Sequence, residues 1–208
     1  MSTPEHPQIY LVTPPSFTPA EFSRRLAAAL DAAPVACLRL ALTSSAEEDI
    51  ARAADTLREI AHARDIPLVI DRHVALVERL GLDGVHLTDG SRSVRKTRKT
   101  LGEEAIIGVF CGTSRHDGMT AGEAGADYVA FGPAGQTALG DGSRAEPDLF
   151  AWWSEMIEVP VVAEGALGDA EITALAPVAD FIALGDEIWG DADPAARLKA
   201  IYARLSGG

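Results

Sequence analysis

Cysteine is nearly absent: Cys37 and Cys111 are the only thiols in 208 residues. Both lie within or at the end of apolar runs, which excludes a disulfide framework and suits a reducing, cytoplasmic compartment. Basic charge is scarce too. Eighteen Lys and Arg stand against 31 Asp and Glu, a net charge of −13. So acidic a chain is a poor nonspecific binder of nucleic acid or of anionic membranes. Any phosphate must be held locally, by backbone amides, a few arginines or a metal. No apolar run approaches the roughly 20 residues that a membrane helix needs. The first residues, MSTPEHPQIYLV, lack the charged and apolar segments of a signal peptide. Linkers, low-complexity stretches and repeats of fixed period are missing as well, so residues 1–208 read as one domain.

What is present is organised around Ala124 to Gly142, AGADYVAFGPAGQTALGDG. A helix end runs into a short apolar strand, Tyr128 to Phe131. The strand releases a loop holding Gly132, Gly135, Gly140 and Gly142. Glycines let a backbone turn sharply or approach a ligand closely, and α/β proteins place ligands at the C-terminal ends of their strands.

Seven other short apolar runs read as strands: Gln8 to Val12, Ala36 to Leu42, Pro67 to Ile70, Gly84 to Leu87, Ile106 to Phe110, Val159 to Ala163 and Phe181 to Leu184. Apolar periodicity places helices from Pro19 to about Ala33, along Ile50 to Ala61, and over Val74 to Leu80 with Gly81 as C-cap. Others follow at Ser93 to Leu101, Arg115 to Gly125, Leu149 to Met156 and from Pro194 through Leu205. Thr18 with Glu21, and Ser45 with Glu48, have capping-box spacing. Strands without polar alternation suit a parallel sheet covered by helices. Eight such units predict a (β/α)8 TIM barrel, α/β in class. An open doubly wound sheet is the alternative. It would carry a phosphate-binding glycine turn after the first strand, where TPPSFTP stands instead.

Strand parity then selects site residues. Cys37, Arg39 and Ala41 share one face of the second strand, and Leu38 and Leu40 the other. The leucines suit the helix layer, so Arg39 points into the barrel and requires a ligand or a carboxylate partner, Asp71 or Glu164. Asp71, at the end of the third strand, can hold a metal or cap a helix. His86 reads as a satisfied interior histidine or as a site residue. Asp89 reads as a second carboxylate or a turn residue. Arg115 and His116 open a helix, where cations are disfavoured, so an anion, ligand or carboxylate is expected beside them. The run Arg92, Arg95, Lys96, Arg98 and Lys99 is expected to be a solvated helix face. Trp152 and Trp153 read as packing or subunit-interface residues, which admits a homodimer.

In order, the strand ends LVT, LR, ID-R, GVHL, IIGV, GADYVAFGP, PVVAEG and ADFIAL resemble the thiamine phosphate synthase and TenI superfamily from Ile9 to Ile188. The resemblance implies that a hydroxymethylpyrimidine diphosphate is joined to a thiazole phosphate, giving thiamine phosphate and diphosphate. It implies Mg²⁺ on Asp71 and Asp89, and phosphate held near the last strands by Arg72, Arg115, Thr137, Gly165, Gly185 and Asp186. It implies catalytic roles for Arg39, Asp71, His86 and His116. The match is partial. The Gln-Leu-Arg-x-Lys of the second strand reads Cys37-Leu38-Arg39-Leu40-Ala41. The Thr-Pro-Thr-Lys of the sixth loop reads Thr137-Ala138-Leu139-Gly140, and the double glycine after the seventh strand reads Gly165-Ala166. Two lysines are therefore missing, while Glu164, Asp186 and Glu187 stand near the expected phosphate pocket. Like charges at 4 Å repel by about 4 kcal/mol at an effective dielectric near 20. The diphosphate would then lean on metal ions or on Arg39, Arg72 and Arg115. A TenI-like thiazole tautomerase using His116 or His86, and a non-catalytic binding barrel, are the alternatives. The sixth loop is expected to act as a mobile flap.

Overall fold

The computed structural model describes residues 6–44, 46–137 and 142–207. Eight parallel strands close in sequence order into a barrel: β1 Gln8–Val12, β2 Cys37–Leu40, β3 Leu68–Asp71, β4 Gly84–Leu87, β5 Ile106–Phe110, β6 Tyr128–Phe131, β7 Val161–Ala163 and β8 Phe181–Leu184. The seam pairs β1 with β8, with Ile9 opposite Ile182 and Leu11 opposite Leu184. The open-sheet alternative is thereby excluded.

Helices follow each strand: α1 Pro19–Ala32, α2 Glu47–His62, α3 Val74–Leu80, α4 Val94–Leu101, α5 Arg115–Glu123, α6 Pro147–Met156, α7 Asp169–Leu175, α8 Asp186–Trp189 and α9 Pro194–Leu205. A 3₁₀ turn, Gly90–Ser93, precedes α4. Two elements escape the periodicity reading. With seven and four residues, α7 and α8 are too short to show a helical repeat. Helix starts also depart from expectation. Thr18 takes the N-cap position of α1, but its hydroxyl makes no capping bond. Its backbone carbonyl instead accepts the amides of Glu21 and Phe22, behind a proline whose φ is already helical. Ser45 lies outside the described residues, and α2 starts from Ala46. Gly81 does close α3, in the left-handed region at φ 62°.

Alternation along the strands builds two cores. Ile9, Leu11, Leu38, Leu40, Val85 and Leu184 face outward into a continuous helix–sheet layer. Tyr10, Cys37, Val69, Tyr128, Ala130, Val162 and Ala183 fill the barrel interior. The parity argument for β2 therefore holds. Gly108 is glycine because the Tyr128 ring lies where a side chain would be: a Cβ there would stand 1.9 Å from that ring.

At the N-terminal ends of the strands, three aspartates repeat one device. Asp83, Asp127 and Asp180 each precede an even-numbered strand. Their carboxylates accept the amides of Leu68, Ile107 and Val161 on the preceding strand, at 2.6, 2.6 and 2.8 Å. Their own amides donate back to the carbonyls of those same residues. These pairs lock the register of β3–β4, β5–β6 and β7–β8 at the face remote from the strand C-termini, where a barrel keeps its stability rather than its chemistry. Arg98, one of the basic run, belongs to this scaffold. It donates to the carbonyls of Gly125, Gly102 and Ala105 and pairs with Asp127. Arg92, Arg95, Lys96 and Lys99 are exposed, as a solvated face requires.

Candidate active site

The C-terminal ends of β1, β2, β7 and β8 surround a cleft of about 330 Å³. Arg39, Glu164, Gly165, Gly185, Asp186 and Glu187 are among its lining residues. At its base Arg39 is buried, with 8% of the residue exposed. It takes both of the partners its burial demanded. Nη1 donates to Glu164 Oε2 at 2.7 Å, and Nε lies 3.4 Å from Asp71 Oδ1. The second contact is an ion pair without hydrogen-bond geometry, so Arg39 Nε and Asp71 Oδ1 are buried with no hydrogen-bond partner among the described residues. Burial opposes the charge on Arg39, but Glu164, Tyr10 and Asp71 outweigh it and hold the guanidinium well above its ordinary pKa. For Asp71 the balance is reversed. Burial raises its pKa, Arg39 lowers it, and Glu164 raises it again, for a net upward shift.

Beneath the ion pairs runs a chain of buried polar groups. The hydroxyls of Tyr10 and Tyr128 share a hydrogen bond at 2.5 Å, and the Tyr128 hydroxyl lies 3.0 Å from His86 Nδ1. Arg39 sits over the Tyr10 ring, 5.6 Å from its centroid. His86 is 1% exposed, and its Nε2 has no described partner. Burial, with a smaller push from Arg39, lowers its pKa well below the ordinary value, so it is neutral at physiological pH. Burial likewise pushes the Cys37 thiol up to about 12, which makes it a small apolar filler rather than a nucleophile. Neutral His86 has a consequence for stability. Below about pH 6.5 the unfolded chain binds a proton that folded His86 refuses, so stability falls as pH drops toward the folded value. Thermal melts from about pH 7.5 to 5.5 should show that decline. It should shrink in His86→Gln; an unchanged slope would place the effect elsewhere.

Loops six and seven interlock beside the cleft. Ala134 and Gly135 donate to the carbonyls of Glu164 and Gly165 at 2.9 Å. The approach is so close that a Cβ on Gly135 would stand 1.6 Å from the Ala166 carbonyl. Ala166 itself is held at φ 55°. A left-handed conformation, strained for a residue with a side chain, thus stands at the second position of the expected double glycine. Thr137 is half-buried at the edge of this loop. Residues 138–141, on which the flap expectation falls, lie outside the described residues.

The structure thus brings Arg39, Asp71, Gly165, Gly185 and Asp186 to one end of the barrel, with His86 buried below. It places others elsewhere. Arg72, at φ 63°, shares a separate cleft with Asp89, Ser93 and Lys96. The Asp89 carboxylate accepts the Ser93 hydroxyl at 2.6 Å, which is its turn-residue reading. Arg115 lies over the Trp152 ring at 4.7 Å, an aromatic contact that partly answers its charge. His116 is exposed on α5. Residues the sequence reading passed over are Tyr10 and Tyr128, which the alternation used for β2 would have placed in the interior.

Mg²⁺ takes oxygen ligands and commonly binds through one or two carboxylates, completing its shell with water and substrate phosphates. Among the described residues no group of three or more His, Cys, Asp or Glu gathers to hold a metal. Asp71, with its unpartnered carboxylate oxygen, fits the sparser arrangement.

The family model described as thiamine monophosphate synthase matches residues 9–188. A thiamine-phosphate synthase of Rhodospirillum centenum is 43% identical over 192 residues, covering 91% of this chain and 93% of that protein. That of Erythrobacter litoralis is 38% identical and covers 91% of each. Among solved structures, a thiamine phosphate pyrophosphorylase from Pyrococcus furiosus superposes with a TM-score of 0.82 over 96% of this chain and 95% of its own, at 20% identity. Among the described residues no helix is long and apolar enough to cross a membrane. By sequence over almost its whole length, this chain belongs to the thiamine monophosphate synthase family.

Proposed function

We propose that the cleft joins a hydroxymethylpyrimidine diphosphate to a thiazole phosphate, forming thiamine phosphate and releasing diphosphate. The observation that carries this reading is Arg39, buried at the strand C-termini between Asp71 and Glu164, opening on the loops of Gly165 and Gly185. Arg39 supplies a fixed, preorganised cation for the departing diphosphate, and such preorganisation in a water-poor site is commonly the largest catalytic term. Because Glu164 already engages one guanidinium nitrogen, the diphosphate is met by the remaining donors, or it displaces the carboxylate. The same acidic wall favours the other half of the reaction. As the C–O bond to diphosphate breaks, positive charge develops on the pyrimidine methylene, and Asp71 and Glu164 lie where that charge is stabilised. The thiazole nitrogen then closes the new C–N bond.

Mg²⁺ held by Asp71 would neutralise diphosphate charge that the missing lysines leave unmatched. Asp71→Asn keeps shape and removes the charge. It should lower turnover at least about 100-fold, with a melting temperature near that of the unaltered protein. The decisive measurement is Mg²⁺-dependent formation of thiamine phosphate from the two precursors. If neither product formation nor calorimetric binding of either precursor is seen, the reading fails. The tautomerase alternative finds less support, since His86 is buried beneath the cleft and His116 is exposed on α5.

A further inference from the structure

Glu187 lines the same cleft, and each oxygen of its carboxylate accepts a backbone amide. Oε1 accepts the amide of Leu167, in the loop after β7, at 2.9 Å. Oε2 accepts the amide of Gly185, in the loop after β8, also at 2.9 Å. One carboxylate therefore bridges backbone donors from two loops. These are the loops whose amides form the phosphate seat of many (β/α)8 barrels. Two oxygens on two amides of adjacent loops is also how a phosphate would be held there, since phosphate oxygens take the same donors. A Cβ on Gly185 would stand in ordinary van der Waals contact, with Val12 at 3.7 Å and Glu187 Oε2 at 4.0 Å. The half-buried Glu187 side chain is thus the group that fills the space in front of both amides.

We infer that Glu187 is an internal anion seated in the phosphate subsite, and that its displacement sets the concentration at which the phosphorylated thiazole binds. The inference rests on the function proposed above and adds a specificity-determining residue to it. A dianionic phosphate entering this cleft must first break two hydrogen bonds and turn the carboxylate away. It also meets Asp186 and Glu164 at the same rim. A neutral thiazole alcohol faces no such competition. Glu187 therefore narrows the preference that the two loops would otherwise show for a phosphate ester.

The test needs no turnover. Inorganic phosphate is titrated by calorimetry into the full-length protein, Glu187→Gln and Glu187→Ala, with thermal melts to check folding. Glu187→Gln keeps the length and one acceptor oxygen but loses the charge. Phosphate should bind at least about tenfold more tightly to it than to the unaltered protein, and more tightly still to Glu187→Ala. The KM for thiazole phosphate should fall by a similar factor, with a smaller change in kcat. The KM ratio between thiazole phosphate and thiazole alcohol should shift toward the phosphate. Equal or weaker phosphate binding in a folded Glu187→Gln overturns the inference. Tighter phosphate binding in a protein that makes no thiamine phosphate would leave the inference standing and remove the proposed reaction.

Discussion

Arg39→Ala should lower stability by about 3–5 kcal/mol, the usual result of stranding buried charge, and abolish turnover. Asp71 and Glu164 have side-chain exposures of only 17% and 16%. In the native protein each is answered by one guanidinium. Without it, two carboxylates from different strands face each other in a poorly solvated pocket, and Asp71 already has its pKa raised by burial. Since one kcal/mol moves the melting point of a domain this size by about 2–4 °C, the drop should reach about 6–20 °C. The companion variant separates structure from chemistry. Replacing both partners, Arg39→Met with Glu164→Leu, removes the ion pair as a unit. Well-packed apolar replacement of a buried pair is often neutral or stabilising. The double variant should therefore recover much of the lost stability and remain inactive. A single variant melting within a degree or two of the unaltered protein would mean that Asp71 and Glu164 are better solvated than their burial indicates.

Trp153→Ala should destabilise by about 3–5 kcal/mol as well, but through a cavity rather than a charge. Trp153 is fully buried and is among the largest such side chains in the protein. Its ring meets Phe131 edge-on at 5.0 Å, and its indole nitrogen donates to the Val159 carbonyl at 2.7 Å. Gly118 of α5 comes so close that a Cβ there would stand 2.6 Å from the Trp153 ring and 2.8 Å from Phe131. Truncation empties the junction of α5, α6 and β6 and leaves the half-buried Val159 carbonyl without its donor. Phe131 ends β6, directly before Gly132 and the loop that follows, so the loss should also loosen that loop. Urea unfolding gives the magnitude, and Trp153→Phe should lose distinctly less. Equal losses for Phe and Ala would assign the effect to the indole hydrogen bond rather than to volume.

The strands were legible because barrel strands are covered on both faces, so each is a short apolar run with sharp ends. Their alternation also told which way Arg39 points. The partner choice was not settled by sequence. Glu164 is 125 residues away from Arg39, and only closure of the ring brings β7 opposite β2. Arg115 shows the opposite case. Its place at a helix start pointed to an anion, ligand or carboxylate, and helix-start reasoning gives no sign of the aromatic face it meets, since Trp152 lies 37 positions further on. The paired hydrogen bonds of Glu187 were hidden for another reason. A carboxylate two residues after a glycine resembles any helix start, and its second partner, Leu167, belongs to another loop.

The joined hydroxyls of Tyr10 and Tyr128 act as a spoke across the barrel, from β1 to β6. A phenol ring normally rotates about its axis by brief dilation of its surroundings. The oxygen lies on that axis, so a flip leaves the bonds to Tyr10 and His86 intact; what resists it is the ring of Tyr128 pressed against Gly108. Rotation of that ring should therefore require β5 and β6 to part briefly, while the hydroxyl pair keeps β1 and β6 tethered. The spoke should hold the width of the barrel floor even while its rings turn.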